Sequence, residues 1–186
     1  METDARREEF IDAARELFVS QGIRDTSITQ ISDRAGVTRS LFYHYFSNKE
    51  AIVNAVIDQI TTDFMEQVEL WHATFNRDDM RASMQALIGL IRSFLRDENN
   101  LGSLSLRNEN AMLRQQFGVR TAQTLSHRFE QQLDTLGSTA WAESLPHPRE
   151  TYYVLVIGCM SLMTHSGNVS DDTLIDIIAD ILHINL

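Results

Sequence analysis

Apolar residues recur along this chain at helical rather than strand spacing. Phe10, Ala13, Ala14, Leu17 and Phe18 stand at i, i+3, i+4, i+7 and i+8, which predicts a first helix over residues 1–21 closed by Gly22. Ile28, Ile31 and Ala35 mark one face of a short second helix. Gly36 follows, a residue free to take the positive φ that a sharp helix–helix turn needs. Val37 plugs the corner, Thr38 offers an N-cap hydroxyl, and a third helix is expected over 39–45. Phe42 and Phe46 are expected to face inward. The pattern is that of a helix-turn-helix with a covering first helix, its third helix shaped to enter a DNA major groove.

Beyond it, with Ser47 or Asn48 as N-cap, Val53, Val56, Ile57, Ile60, Phe64, Val68, Trp71 and Phe75 keep a 3.6-residue period for about seven turns. A further helix is expected over 78–96, broken by the polar run 97–100. The pattern is weaker over 101–117, where Leu104, Met112, Leu113 and Phe117 read as inward, and a helix resumes over 119–136 before Gly137. A loop or short helical connection leads through Trp141 to residues 146–148. The segment 148–165 is apolar nearly all round and 171–186 is apolar on more than one face. Such helices need burial on several sides, which predicts half of a four-helix interface with a second copy. Tyr153, Val156, Ile157, Leu174, Ile178 and Ile181 are its candidate residues. The expected fold is all-α, with about nine helices. It has a three-helix head at 4–64 (helix-turn-helix about 27–46), a helical-bundle body at 65–186, and a homodimeric assembly.

The fixed spacing of Ala14, Leu17, Phe18, Gly22, Thr26, Ser27, Ile28, Ile31, Ser32, Ala35, Gly36, Val37, Thr38, Phe42, Tyr43, Tyr45, Phe46, Lys49 and Glu50 resembles the N-terminal domain of the TetR family of transcriptional regulators. The resemblance covers roughly the first quarter of the chain. It implies a repressor that binds a palindromic DNA operator as a dimer, joined through its last two long helices. It also implies a body that binds a small apolar or amphipathic effector. Where the family often has Gly early in the third helix this chain has Ser40, and Phe42 replaces the usual Leu. Both residues fit a helix, so these departures touch base preference and not the fold.

Candidate DNA contacts follow from side-chain chemistry. Arg39 can fork onto guanine O6 and N7, Ser40 is short enough for close approach, and Leu41 can meet a thymine methyl. Tyr43 and His44 face outward to bases or backbone, and Thr29 could reach a base edge. Thr26, Ser27 and Thr38 suit helix N-caps, and the hydroxyls before the second helix also suit phosphate. Lys49, the single lysine of the chain, matches the family's phosphate-contacting lysine.

Charge and composition refine the picture. A net charge of −10 opposes DNA binding, but residues 24–49 hold Arg24, Arg34, Arg39 and Lys49 against Asp25 and Asp33, a small cationic patch on an acidic chain. With 43% hydrophobic residues, 2 Pro and 8 Gly in 186, a real core is affordable and disordered or β-rich classes are disfavoured. One Cys excludes a disulfide framework and, with no leader or membrane span in sight, suits a cytoplasmic protein. Cys159 reads as a buried small hydrophobe before a redox sensor. The six His are scattered and no nucleotide, dinucleotide or hydrolase motif occurs, so no metal, cofactor or enzymatic activity is expected. Trp71, Met84, Phe94, Met112, Phe117, Tyr152 and Met160 could line an effector pocket or serve as plain core. Arg107, Asn110 and Arg114 could add polar contacts or stand in solvent. The rival readings are a constitutive DNA-binding regulator without an effector, and an enzyme on a helical scaffold.

Overall fold

In the computed structural model, residues 2–97, 111–135, 145–165 and 169–184 are described. They form eight α-helices and one 3-10 turn, with no strand among them. The helices are α1 (Glu2–Gln21), α2 (Ile28–Arg34), α3 (Arg39–Tyr45), α4 (Lys49–Ala73), α5 (Met80–Arg96), α6 (Ala111–Thr135), α7 (Pro148–His165) and α8 (Asp171–Leu182). The 3-10 turn Arg77–Asp79 leads into α5 and is capped by the Asn76 side chain. None of the described helices is long and apolar enough to cross a membrane.

The chain separates into two compact units, residues 1–63 with 94–117, and residues 64–93 with 118–186. The division falls inside α4, α5 and α6, each of which contributes to both. In the first unit the predicted stripes close on an aromatic cluster. Phe10 meets Phe42 edge to face at 5.5 Å between centroids and Phe46 at 6.1 Å, while Phe42 and Phe46 lie 5.4 Å apart. Ala14, Phe18, Ile31, Ile52 and Val56 complete this buried core. Arg15 ties α1 to α4 by donating to Asp63 at 2.7 Å, and Gln59 of α4 donates to Asp12 at 3.0 Å. Asn48, rather than Ser47, caps α4, accepting from the Ala51 amide at 2.9 Å.

The core of the second unit joins Met84 and Ile88 of α5 with Leu145, with Leu155 and Cys159 of α7, and with Leu174, Ile175 and Leu182 of α8. Arg92 pins α5 to the start of α8, donating to Asp171 at 2.7 Å and to the Val169 carbonyl at 2.6 Å. Pro148 opens α7, where its missing N–H costs nothing.

Two boundaries differ from the periodicity. α6 runs unbroken through Gly118, because a single helical glycine costs only about 1 kcal/mol, too little to end a helix that packs on both sides of it. α8 stops at Leu182 rather than near the chain end. His183 takes the left-handed conformation (φ 53°), and the Ile184 amide turns back to the Ala179 carbonyl at 2.9 Å. Ile184 packs on the core below, the apolar contact that accompanies such a stop. Leu104, Trp141 and the expected breaks at 97–100 and Gly137 lie wholly or partly outside the described residues.

Candidate nucleic-acid interface

The site begins with local sequence. Ser27 caps α2, accepting from the Gln30 amide, while Gln30 Oε1 accepts from the Ser27 amide at 2.8 Å. This reciprocal capping box fixes the helix entry with two residues. Gly36 carries the turn at φ +69°, where any other residue is strained. Thr38 then caps α3 by accepting from the Leu41 amide.

On α3 the inward and outward sides separate cleanly. Phe42 is fully buried and Phe46, just beyond the helix, nearly so, while Arg39, Ser40, Tyr43 and His44 are exposed. These four stand at i, i+1, i+4 and i+5 and share one helix face. Arg39 Nη2 donates to Tyr43 Oη at 3.1 Å, and its guanidinium lies 5.6 Å from the Tyr43 ring centre. The pair holds the cationic fork upright at the surface. His44 packs its ring edge to face on Tyr45 at 5.1 Å. Leu41 is half-buried, so it offers an edge rather than a full apolar surface. Ser27, Thr29, Gln30 and Thr38 are exposed on the same helix-turn-helix. Gln30 is a candidate that sequence reading missed; its place as the third residue of a capping box was the available signal.

Lys49 is half-buried, and its ammonium donates to the Arg24 carbonyl at 3.3 Å. Burial lowers its pKa from the ordinary lysine value, against the Asp25 carboxylate, which raises it. Its first role is to tie the start of α4 to the turn before α2. Arg34 is committed to Glu16, donating through Nε at 2.7 Å, so one cation of the expected patch is already paired.

Thr26 is corrected. Its side chain is buried, its hydroxyl donates to the Gly22 carbonyl at 2.7 Å, and it accepts from Gln21. A hydroxyl turned into the turn cannot reach a phosphate. Thr26→Val should lower the head's unfolding free energy by about 1–3 kcal/mol, read by chemical denaturation. Its operator affinity, measured under conditions where the head is fully folded, should match the wild type.

A short helix held by a capped turn, with a buried aromatic side and a cationic, hydrogen-bonding outer side, is the build of a helix-turn-helix head. Residues 10–56 match the model of the family described as "Bacterial regulatory proteins, tetR family". The regulator SrpR of Pseudomonas putida is 43% identical over 56 residues, 30% of this chain and 26% of that protein. The transcriptional activator FasR of Mycolicibacterium smegmatis is 33% identical over 90 residues, 47% of this chain and 41% of that one. The matched stretches thus span well under half the length of these relatives. The structure of SmeT, the repressor of the Stenotrophomonas maltophilia multidrug efflux pump SmeDEF, superposes with a TM-score of 0.57 at 22% identity, over 95% of this chain and 88% of that one. Residues 10–56 thus resemble the head of the tetR family, and the all-helical fold of that solved structure extends along the rest of the chain.

The pocket candidates fall in both units. Phe94 and Phe117 stack at 5.8 Å in the first unit. Trp71, Met84, Tyr152 and Met160 belong to the second, and the side chains of Met112 and Arg114, with Arg107 and Asn110, lie outside the described residues. Trp71 donates to the Ser83 carbonyl at 2.8 Å and Met84 sits in the α5–α7–α8 core, so both have structural duties. Tyr152 stacks on Phe129 at 4.4 Å, and burial first, then Cys159, raises its pKa. Cys159 is buried and its thiol pKa is pushed up, the reverse of what a redox sensor needs. Among the described residues no cluster of three metal-capable side chains occurs.

Of the interface candidates, Leu174 is corrected: it is fully buried in its own subunit's core and cannot reach a partner. Ile178 also packs on that core, though partly exposed. Tyr153, Val156 and Ile157 are half-buried and Ile181 is 38% exposed. Val154, absent from the expected set, is 66% exposed on α7.

Proposed function

We propose that this chain is a ligand-responsive transcriptional repressor, acting in the cytoplasm as a homodimer on a palindromic operator. The observation that carries the reading is the outer face of α3, where Arg39, Ser40, Tyr43 and His44 stand together over a buried Phe42. Each subunit presents that face to one half-site, with the half-sites one or more helical turns apart, roughly 34–36 Å or a multiple. Arg39 reads guanine through its fork, Ser40 and Tyr43 contact neighbouring bases or backbone, and His44, Ser27, Thr29 and Thr38 fix the register on phosphates. Lys49 adds a phosphate contact when it leaves the Arg24 carbonyl. A small apolar or amphipathic effector in the body favours a half-site spacing that no longer fits. A coupling of about 1–3 kcal/mol changes operator occupancy some 5- to 150-fold. The relatives named as regulators, and SmeT as a repressor of an efflux pump, lend support to this reading.

Selection from random duplex DNA at fixed salt tests it. Wild-type protein is expected to enrich a palindrome, and an Arg39→Ala, Tyr43→Ala double variant with an unchanged melting curve is expected to enrich none. Equal enrichment by the variant would show that α3 does not read bases.

A further inference from the structure

Among the described residues six serine and threonine side chains are fully or nearly buried: Thr26, Ser32, Thr61, Ser83, Thr121 and Ser126. Five donate to a backbone carbonyl at 2.7–3.2 Å: Thr26 to Gly22, Ser32 to Ile28, Thr61 to Ile57, Ser83 to Asn76 and Ser126 to Gln123. Thr121 does not. Its exposure is 0% and its Oγ1 has no partner among the described residues. A helical threonine has a ready acceptor in the carbonyl one turn back, so a buried one that leaves it untaken is an exception.

A second observation falls one turn earlier on the same face. Gly118 is buried, yet a Cβ built on it meets no atom within 4 Å. A buried position without neighbours at contact distance borders an internal space, since packed cores leave few voids larger than a water molecule. Gly118, Thr121, Ala122, Leu125 and Ser126 follow at i, i+3, i+4, i+7 and i+8, one stripe of α6 without an ionisable side chain. A plain core would place valine at 121, which has the same shape and no hydroxyl to satisfy.

We propose that this stripe of α6 is one wall of a binding cavity, and that Thr121 supplies its hydrogen bond to the ligand. The ligand is a neutral, mainly apolar molecule bearing one hydroxyl, ether or carbonyl group. Neutrality follows from the stripe, which offers no counter-charge, and burial of an unpaired ion is strongly unfavourable. The proposal rests on the effector part of the reading above and narrows the effector to this chemistry.

The test uses 1-octanol, octanoate and octylammonium as probes on the full chain, read by thermal shift and by titration of the heat of binding. Octanol is expected to raise the melting temperature saturably, with one site per subunit, and the two ions at equal concentration to do so far less. Thr121→Val should melt higher than wild type, since it removes an unpartnered buried hydroxyl, and should bind octanol about tenfold more weakly. Gly118→Leu should abolish the octanol shift. Gly118→Ala, whose added methyl meets nothing, should fold and melt slightly higher. A lower melting temperature for Thr121→Val or Gly118→Ala would overturn the proposal, because the hydroxyl would then be bonded or the space filled. So would an octanol shift unchanged by Thr121→Val, or a stronger response to either ion. Operator selection by the wild type separates the two readings: no octanol shift beside an enriched palindrome indicts the cavity alone, and an octanol shift without an enriched palindrome indicts the DNA reading alone.

Discussion

Phe42→Ala should cost the head about 3–5 kcal/mol of stability, the usual range for truncating a fully buried phenylalanine. The ring has no exposed surface and meets Phe10 edge to face, Tyr43 edge to face at 5.6 Å and Phe46 at 5.4 Å. Aromatic pairs of this geometry add about 0.5–1.5 kcal/mol beyond burial, so the loss should lie toward the upper end of that range. Domains hold only about 5–15 kcal/mol in total, which makes this a large share of what keeps α1, α2 and α3 together. Hydrogen exchange should show protection falling over α1–α3 while α7 and α8 keep theirs. The neighbouring position gives the contrast. Tyr43 is 46% exposed, and Tyr43→Ala should cost no more than about 1.5 kcal/mol, the worth of its edge-to-face contact with Phe42, while weakening operator binding. One residue apart, the two substitutions separate holding the helix from reading with it. If Phe42→Ala melts like wild type, the aromatic cluster is not what seats α3.

The bounds of α3 and the inward direction of Phe42 and Phe46 were legible because they are set locally. A glycine able to take φ +69°, a Thr cap and two aromatics at i and i+4 leave few alternatives over seven residues. Thr26 was not legible for the opposite reason. A hydroxyl before a helix looks the same in sequence whether it turns out to a phosphate or back to the Gly22 carbonyl, and only the path of the turn decides. Asn48 prevailed over Ser47 as cap of α4 on the same kind of geometric detail. In the body, periodicity gave the helices but not their facing. α8 is apolar on more than one side, so nothing in its sequence told Leu174, sunk in its own core, from Ile181, left partly in solvent. Gly118 gave a false break for a related reason: glycine is weak punctuation inside a helix that packs. The orphan hydroxyl of Thr121 lies beyond any sequence signal, since it is defined by a partner that tertiary packing fails to provide.

The second large effect concerns assembly. In the single subunit α7 buries Leu155 and Cys159 against α5 and α8, while Val154 stays 66% exposed beside the half-buried Ile157, and Ile181 of α8 is 38% exposed. Apolar side chains of this size are each worth roughly 1.5–3 kcal/mol when fully buried, so leaving them in water is unfavourable unless a partner covers them. On the homodimer reading, Val154→Asp should yield a folded monomer, because Val154 lies mostly outside its own core and a carboxylate there meets solvent rather than packing. Helicity and melting temperature should hold near wild type, whereas Leu174→Asp, which buries a charge with no partner, should unfold the body. Operator affinity should fall about 10²- to 10⁴-fold, since two linked half-site contacts become two independent ones. The same variant should still bind a single half-site as well as one wild-type subunit does, because α3 is untouched. Sedimentation equilibrium beside binding to full and half operators reads all three quantities. A variant that remains dimeric, or that becomes monomeric without losing affinity for the palindrome, would move the interface off this face of α7 and detach DNA recognition from dimer geometry.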